Sequence, residues 1–312
     1  MNIVRVALAV PLPRFFDYLY SPDLTPIVGG RVLVPFGSQK RVGIVVDLPA
    51  SSDVAKEKLK PIIDVLDAES LFNSTTWDWL AWSANYYRAA LGDVLFQALP
   101  VKLRNGESAV KNDRTFWRIT DLGKQALESG ELKRAKKQIE ALNLLLMQDL
   151  EKGNNEISSA IWSALKGKDY VEEIIVPTEQ KSWQQALGDN PLVNLDNRLT
   201  LNKQQALAFS QLLFQEGFNV WLLEGVTGSG KTEIYLQYIE EVLKKGKQVL
   251  VLVPEIGLTP QTVRRFQARF NVEIDVLHSN LNDTQRLNVW ERARTGQSAI
   301  VIGTRSAFFS QF

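Results

Sequence analysis

The sequence of 312 residues contains no cysteine, one histidine and two methionines. Without cysteine there is no disulfide, thiolate metal site or thiol nucleophile, and one histidine cannot build a zinc site by itself. Neither sign of charge dominates. Lys+Arg number 36 against 35 Asp+Glu, and residues 1–110 carry eleven of each, so composition makes no case for a polyanionic partner. The amino-terminal MNIVRVALAVPLPRFF has no basic stretch ahead of an apolar core, and Pro11 and Pro13 break its apolar run. It reads as neither signal peptide nor membrane span, so a cytoplasmic protein without a membrane partner is expected. What remains is ordinary globular material, 45% hydrophobic and 23% charged, long enough for two or three domains.

Residues 1–105 open with short β-type runs, IVRVALAV, FDYLY, RVLVPF and RVGIVVDL, punctuated by Pro22, Pro26, Gly29, Gly30 and Gly37, which predicts a small β-barrel or sandwich. A helix follows in STTWDWLAWSANYYRAA, with Ser74 and Thr75 as candidate caps; its Trp77, Trp79, Trp82, Tyr86 and Tyr87 read as core at helical spacing. Residues 106–176 combine helical patterns with the strand-like FWRIT and YVEEIIV, the outline of a winged-helix-like domain. Residues 177–197, PTEQKSWQQALGDNPLVNLDN, lack periodicity and read as a linker.

From residue 198 the pattern changes to apolar strands alternating with amphipathic helices: KQQALAFSQLLF, VWLLEG, KTEIYLQYIEEVLKK ended by Gly246, QVLVLVP, PQTVRRFQARF, VEIDVLH, DTQRLNVWERAR and SAIVIGT. This alternation predicts a parallel sheet covered by helices. Within it lies GVTGSGKT, residues Gly225, Val226, Thr227, Gly228, Ser229, Gly230, Lys231 and Thr232. The motif follows an apolar run read as a strand and opens a helix, the context that a phosphate-gripping loop requires. Its glycines let backbone N–H groups face phosphates, Lys231 would reach the β- and γ-phosphates, and Thr232 would ligate Mg²⁺. Hydrolysis also needs a strand-end acid and a cationic finger. Glu255 in VPEIG and His278 in LHSN are the strand-end candidates after the loop, and neither stands in a paired-acid motif. The chain is therefore expected to hold half of a hydrolysing site and to turn over little ATP.

The segments LNKQQA, GVTGSGKTEIYL, VLVPEIGLTPQTVRRFQARF, VLHSNLND and AIVIGTRSAFF, with VPLPRFFDYLY, RVLVPFGSQKRVGIVV and GDVLFQALP near the start, resemble the PriA family of replication-restart helicases in order and spacing. The resemblance spans essentially the whole chain and is weakest at 106–197. It implies a multidomain fold: a small β-barrel-like DNA-binding domain at 1–105, a winged-helix-like domain at 106–176, a linker at 177–197, and at 198–312 the first half of a RecA-like P-loop α/β motor lobe with a parallel sheet. It implies a bacterial, ATP-driven 3′-to-5′ superfamily-2 DNA helicase that recognises stalled forks and starts primosome assembly. Its partners would be forked DNA, single-stranded DNA, DNA 3′ ends, primosome proteins and single-strand-binding proteins.

By the same resemblance, Gln205 would read adenine, the 225–232 loop would hold ATP with Mg²⁺, and Thr259, Gln261, Thr304 and Arg305 would grip the single-stranded backbone. Phe16, Asp17, Gly37 and Lys60 would form the pocket for a strand's 3′ end. The family's DExH acidic motif, its second lobe with the arginine finger and its zinc-binding cysteines are implied beyond residue 312. This chain should thus bind rather than unwind, with no metal ligands of its own. Two other readings stay open. A P-loop kinase or GTPase would need a guanine-reading N-K-x-D, which is absent; a non-catalytic DNA-end adaptor would carry the loop as a vestige.

Overall fold

A computed structural model of the chain describes residues 2–109, 114–129, 132, 135–147, 149–151, 157–176, 181–214 and 217–311. They form two compact units, one of residues 1–109 with 181–312 and the other of residues 110–180.

In the first unit, β1 (Asn2–Leu8), β2 (Phe16–Tyr20), β3 (Arg31–Phe36), β4 (Gln39–Asp47) and the short β5 (Asp64–Val65) make an antiparallel sheet of order β2-β1-β4-β3-β5. The sheet curls until its two ends meet. Leu19 N–H donates to the Lys60 carbonyl at 2.9 Å and Ile62 N–H to the Leu19 carbonyl at 2.8 Å, so the segment leading into β5 pairs with β2. Of the barrel and sandwich expected, this single curled sheet is nearer the barrel, since no second sheet packs on it among the described residues. Alternation buries Val4, Val6, Leu8, Val32, Val34 and Val45 on its inner face.

Arg31, at the start of β3, is wholly buried. Its Nε and Nη2 donate to the Asp67 carboxylate, both at 2.8 Å, and its Nη1 donates to the carbonyls of Leu103 and Glu107 at 2.6 and 2.8 Å. Leu103 lies in α3 (Val101–Arg104) and Glu107 just beyond it; α3 follows α1 (Ser74–Tyr86) and α2 (Leu91–Gln97). Gly92 lets α2 lie on β1, since a Cβ there would meet the Leu8 carbonyl oxygen at 1.9 Å.

Helix α1 corrects two expectations. Its cap is Asn73, whose side chain accepts from Thr76 N–H, rather than Ser74 or Thr75. Trp77 and Trp79 are half-buried, but Trp82, Tyr86 and Tyr87 are 56%, 64% and 74% exposed, so they are not core. Trp82 and Tyr86 stack on each other at 4.9 Å. Apolar residues fill most faces of this helix, but its neighbours bury fully only Leu80 and Ala84.

The second unit holds β6 (Arg114–Ile119), α4 (Asp121–Glu128), α5 (Lys136–Met147), β7 (Leu150–Glu151), α6 (Ser159–Lys166) and β8 (Val171–Val176). Its three strands pair antiparallel in the order β7-β6-β8. Trp117 and Trp162 stack at 5.3 Å within a core that includes Leu142, Leu145 and Leu165.

The first unit resumes with α7 (Trp183–Leu187), closed at its start by a Ser182/Gln185 capping box. Residues 177–180 lie outside the described residues. The rest of the segment read as a linker packs on the α/β lobe: Trp183 is buried against Leu243, Phe266, Phe270 and Ile300. Trp183 N–H also donates to the Gly296 carbonyl at 2.9 Å, and Asn194 N–H to the Arg269 carbonyl at 2.8 Å. An aperiodic stretch carries no helical signature, yet one large aromatic suffices to anchor it.

The lobe continues through α8 (Lys203–Leu213), α9 (Lys231–Lys244), β9 (Val249–Leu252), α10 (Pro260–Arg269), β10 (Ile274–Leu277), α11 (Asp283–Arg294) and β11 (Ile300–Gly303). The strands form a parallel sheet in the order β10-β11-β9. Helix α9 ends as its sequence predicts. Gly246 (φ +73°) sends its N–H to the Leu243 carbonyl and Lys247 sends its own to Val242, the two bonds of a glycine-terminated Schellman motif.

VWLLEG, read as a strand, is not one. Val220 and Leu222 are 83% and 90% exposed and no ladder includes residues 219–226. An apolar run becomes a strand only beside a partner edge, and the described residues supply none there. Among those residues, no helix is long and apolar enough to cross a membrane.

After β11 the chain turns through a 3-10 segment, Arg305–Phe309, that reaches the end-proximal part of the curled sheet's helices. Trp79 meets Phe308 edge-on at 4.9 Å, Gln311 Nε2 donates to the Leu71 carbonyl at 2.7 Å, and Asn73 N–H donates to Gln311 Oε1 at 3.2 Å.

Candidate nucleotide and DNA sites

The glycine-rich loop is built from two left-handed glycines, Gly228 (φ +80°) and Gly230 (φ +83°), the second capping α9. Lys231 and Thr232 open that helix, and Thr232 is exposed. Lys231 Nζ donates to the carbonyls of Gly225 and Val226 at 2.5 and 2.9 Å. Gln205 is brought to the same loop: its Nε2 donates to the Ser229 carbonyl at 2.9 Å while its Oε1 accepts from Asn202 N–H at 2.9 Å. One N–H and one lone pair remain for an adenine edge. Ser229, Thr227 and Val226 are exposed with the rest of the loop.

The third residue of α9, Glu233, is buried and accepts from Arg269 Nη2 at 3.1 Å and Gln237 Nε2 at 2.8 Å. This ties the first turn of α9 to the end of α10. Among the described residues, no cluster of three or more histidines and carboxylates stands ready to hold a metal.

A second region lies at the carboxyl ends of the parallel strands, where open α/β sheets present their ligand crevices. A cavity of about 820 Å³ is lined by Glu255, Thr259, Arg264, Gln267, His278, Asn280, Arg286 and Thr304, among others. Thr259 caps α10, accepting from Thr262 N–H. Gln261 is exposed but does not line the cavity. Arg305 projects into solvent with Nε and Nη2 each 3.3 Å from Glu255 Oε1. Bonding by its own backbone N–H first, then the charge of Arg305, holds the Glu255 carboxyl below the usual range.

Arg264 and Arg286 were not singled out from the sequence. Arg264 sits one turn into α10, and Arg286 donates to the carbonyls of His278, Ser279 and Leu281, shaping the loop beyond β10. His278 accepts at Nδ1 from Asn280 N–H, as a loop histidine does.

The third region surrounds a cavity of about 530 Å³ lined by Arg5, Arg14, Phe16, Asp17, Phe36, Gly37 and Lys60, among others, so all four residues expected at a 3′-end pocket converge. Phe16 and Phe36 meet edge to face at 5.2 Å, with the Arg14 guanidinium 5.0 Å from the Phe16 centroid. Both rings are half-buried at the rim of the core, so core packing and an open aromatic edge coexist.

Register sets Arg5 opposite Asp17. Arg5 Nε and Nη2 reach Asp17 at 2.8 and 3.0 Å, and Ser52 Oγ donates at 2.6 Å. The Arg5 bond is the chief reason the Asp17 carboxyl lies below its ordinary range, and the Ser52 bond adds to it against the opposing effect of burial. Three acceptor sites are thereby used, leaving about one of four. Gly37 and Ser38 form a two-residue hairpin loop, since Phe36 pairs with Gln39. Gly37 has φ +60°, and a Cβ there would meet no atom of the chain. The glycine therefore satisfies the turn, and the space before it is open.

Curled sheet, aromatic end pocket and glycine-loop lobe together define a DNA-end-binding domain joined to a helicase lobe. The profile of a 3′DNA-binding domain (3'BD) matches residues 5–100, and that of a DEAD/DEAH box helicase matches residues 202–312. The chain belongs to the PriA replication-restart family. It is 75% identical over 312 residues to the replication restart protein PriA of Haemophilus influenzae, covering 100% of this chain and 43% of that protein. Its counterpart in Buchnera aphidicola subsp. Acyrthosiphon pisum is 34% identical (100% and 42%), and that of Bacillus subtilis 28% (100% and 48%). The chain thus spans less than half the length of these relatives.

Proposed function

We propose that this chain carries the end-recognising and nucleotide-gripping parts of an ATP-driven 3′-to-5′ DNA helicase that recognises stalled forks and 3′ ends and starts primosome assembly in replication restart. The observation that carries the reading is the convergence of Phe16, Phe36, Asp17, Gly37 and Lys60 on one cavity of about 530 Å³ inside a region that matches a 3′DNA-binding domain.

In this reading the terminal base meets the Phe16–Phe36 edge, a contact worth roughly 1–3 kcal/mol. The remaining Asp17 lone pair accepts the 3′-hydroxyl and repels a 3′-phosphate, while Lys60 neutralises one backbone phosphate. Lys231 exchanges the carbonyls of Gly225 and Val226 for the β- and γ-phosphates of ATP, Thr232 takes Mg²⁺ and Gln205 reads adenine. Single-stranded DNA crosses the carboxyl ends of the sheet against Thr259, Thr304 and Arg305, with Gln261 at the margin.

Residues 106–176 serve as a winged-helix-like domain, the cytoplasm is the working compartment, and primosome and single-strand-binding proteins are the partners. The zinc of the family belongs to its longer members, for this chain has no cysteine. These residues bind DNA and nucleotide. Anisotropy with DNA bearing a 3′-hydroxyl, a 3′-phosphate or a blocked 3′ end tests the pocket. The 3′-hydroxyl is expected to bind tightest, and equal affinities would overturn the assignment.

A second reading, a DNA-end adaptor with a vestigial nucleotide loop, is favoured by one observation: residues 219–226 lie outside the sheet with Val220 and Leu222 exposed. Saturable binding of Mg-ATP that Lys231→Ala removes would exclude it.

A further inference from the structure

On the other side of the β3–β4 hairpin from the end pocket lies a cleft of about 450 Å³ lined by Lys40, Arg41, Arg104, Gln97, Asn105 and Asp93, with Ala9, Leu33, Val42 and Phe96 beneath. Lys40, Arg41 and Arg104 line it beside one carboxylate, Asp93, which pairs with none of them among the described residues. Lys40 and Arg41 are exposed. Arg104 is held rigidly, its Nε donating to the Leu99 carbonyl at 2.7 Å and its Nη2 to the Gln97 carbonyl at 3.3 Å. Both partners are neutral, Nη1 makes no hydrogen bond, and burial pushes the Arg104 guanidinium down from its ordinary value. An immobilised arginine with an unused N–H edge and uncompensated charge suits an anion. The amides of Gln97 and Asn105 add neutral donors of the kind that contact phosphate and sugar oxygens.

This cleft neighbours the end pocket. The Arg41 guanidinium lies 5.4 Å from the centroid of Phe36, whose ring meets Phe16 in the end pocket. Phe36 and the Gly37–Ser38 loop are thus the wall between an aromatic site for a base and a cationic site. A nucleotide chain needs that pairing, with bases stacked on aromatic faces and phosphates beside cations.

We propose that the cleft of Lys40, Arg41 and Arg104 holds phosphodiesters of the same strand whose 3′ end enters the Phe16 pocket. The inference rests on the end-binding reading of that pocket and adds a second subsite to it. The pocket reads the terminus, and the cleft grips the backbone that leads to it. This explains how a domain of balanced charge, eleven cations against eleven anions over residues 1–110, can hold DNA through a local field.

The test is a length series of single-stranded oligonucleotides with a free 3′-hydroxyl, from a dinucleotide to a twelve-mer, bound to the full chain. The Lys40→Gln/Arg41→Gln double variant and Arg41→Lys are compared with the unaltered chain. Unaltered protein should gain affinity with length. The double variant should bind the dinucleotide normally but lose most of that gain, with a shallower salt dependence. Two lost phosphate contacts on a single strand lower the slope by about 1.4, so the deficit at 50 mM salt should exceed that at 200 mM by about sevenfold. Arg41→Lys, which keeps the charge, should retain most of the gain.

Equal losses for dinucleotide and twelve-mer would mean that the substitutions damage the pocket itself and would overturn the proposal. So would an unchanged slope, or a gain that appears only on a recessed duplex, which would assign the cleft to the complementary strand. Failure of the end-binding reading looks different: the unaltered chain would then bind 3′-hydroxyl and blocked ends alike, and the proposal would fall with it.

Discussion

Arg31 and Asp67 are buried together inside the end-binding domain, and removing one of them is the sharpest test of how that domain is held. Five hydrogen bonds converge on the pair: three to the Asp67 carboxylate, from Arg31 Nε, Nη2 and backbone N–H, and two from Nη1 to the carbonyls of Leu103 and Glu107. Arg31→Met deletes four of them and leaves a carboxylate and two carbonyls without those donors. Breaking a buried pair in this way costs about 3–5 kcal/mol. For a unit of this size each kcal/mol lowers the melting temperature by about 2–4 °C, which places the expected shift at about 6–20 °C. Replacing both partners, as Arg31→Met/Asp67→Leu, removes the stranded charge and should recover part of the loss, so the double variant melts above the single one. Urea and thermal unfolding followed by tryptophan fluorescence give both numbers. A cost below about 1 kcal/mol for Arg31→Met, or a double variant less stable than the single, would refute the view that this pair clamps β3 to the end of α3.

Three further outcomes are expected. Asp17 is held below its ordinary value of 3.8 chiefly by Arg5, so its contribution to stability is complete above about pH 4 and is lost as pH falls through the lower folded value. Acid unfolding of Asp17→Asn should therefore be less steep below pH 4 than that of the unaltered chain. Lys231→Ala should weaken Mg-ATP binding on the order of 10- to 100-fold, from the loss of charge-assisted bonds worth about 1.5–3 kcal/mol, with ATP turnover negligible before and after in a coupled assay. Trp183→Ala should cost about 3–5 kcal/mol and make residues 181–197 the first site of limited proteolysis, whereas the unaltered chain resists cleavage there.

Much of the fold was legible because local signals and tertiary context agree. RVLVPF and FDYLY alternate on a half-buried pleat, and Gly246 ends α9 where a left-handed residue is required. The end pocket was legible through family resemblance, because Phe16, Asp17, Gly37 and Lys60 lie far apart in sequence and only the strand register joins them. What escaped depends on neighbours. Trp82, Tyr86 and Tyr87 follow helical spacing as core residues do, but periodicity does not say which faces are covered. VWLLEG has the apolarity of a buried strand, but ladder pairing belongs to two segments. The cations of the hairpin cleft escaped because Lys40 and Arg41 are two residues at the start of β4, and Arg104 becomes significant only when α3 folds beside them.

The 3-10 turn after β11 touches two different tasks. Thr304, which caps it, and Ser306 within it line the crevice of the parallel sheet, while Phe308 packs on Trp79 and Gln311, just beyond it, bonds to Leu71. One short turn thus runs from the mouth of the crevice to α1 and packs at both ends. Trp79, half-buried against Phe308 and Phe309, marks the place where the two parts of this unit are sewn together by the last residues described.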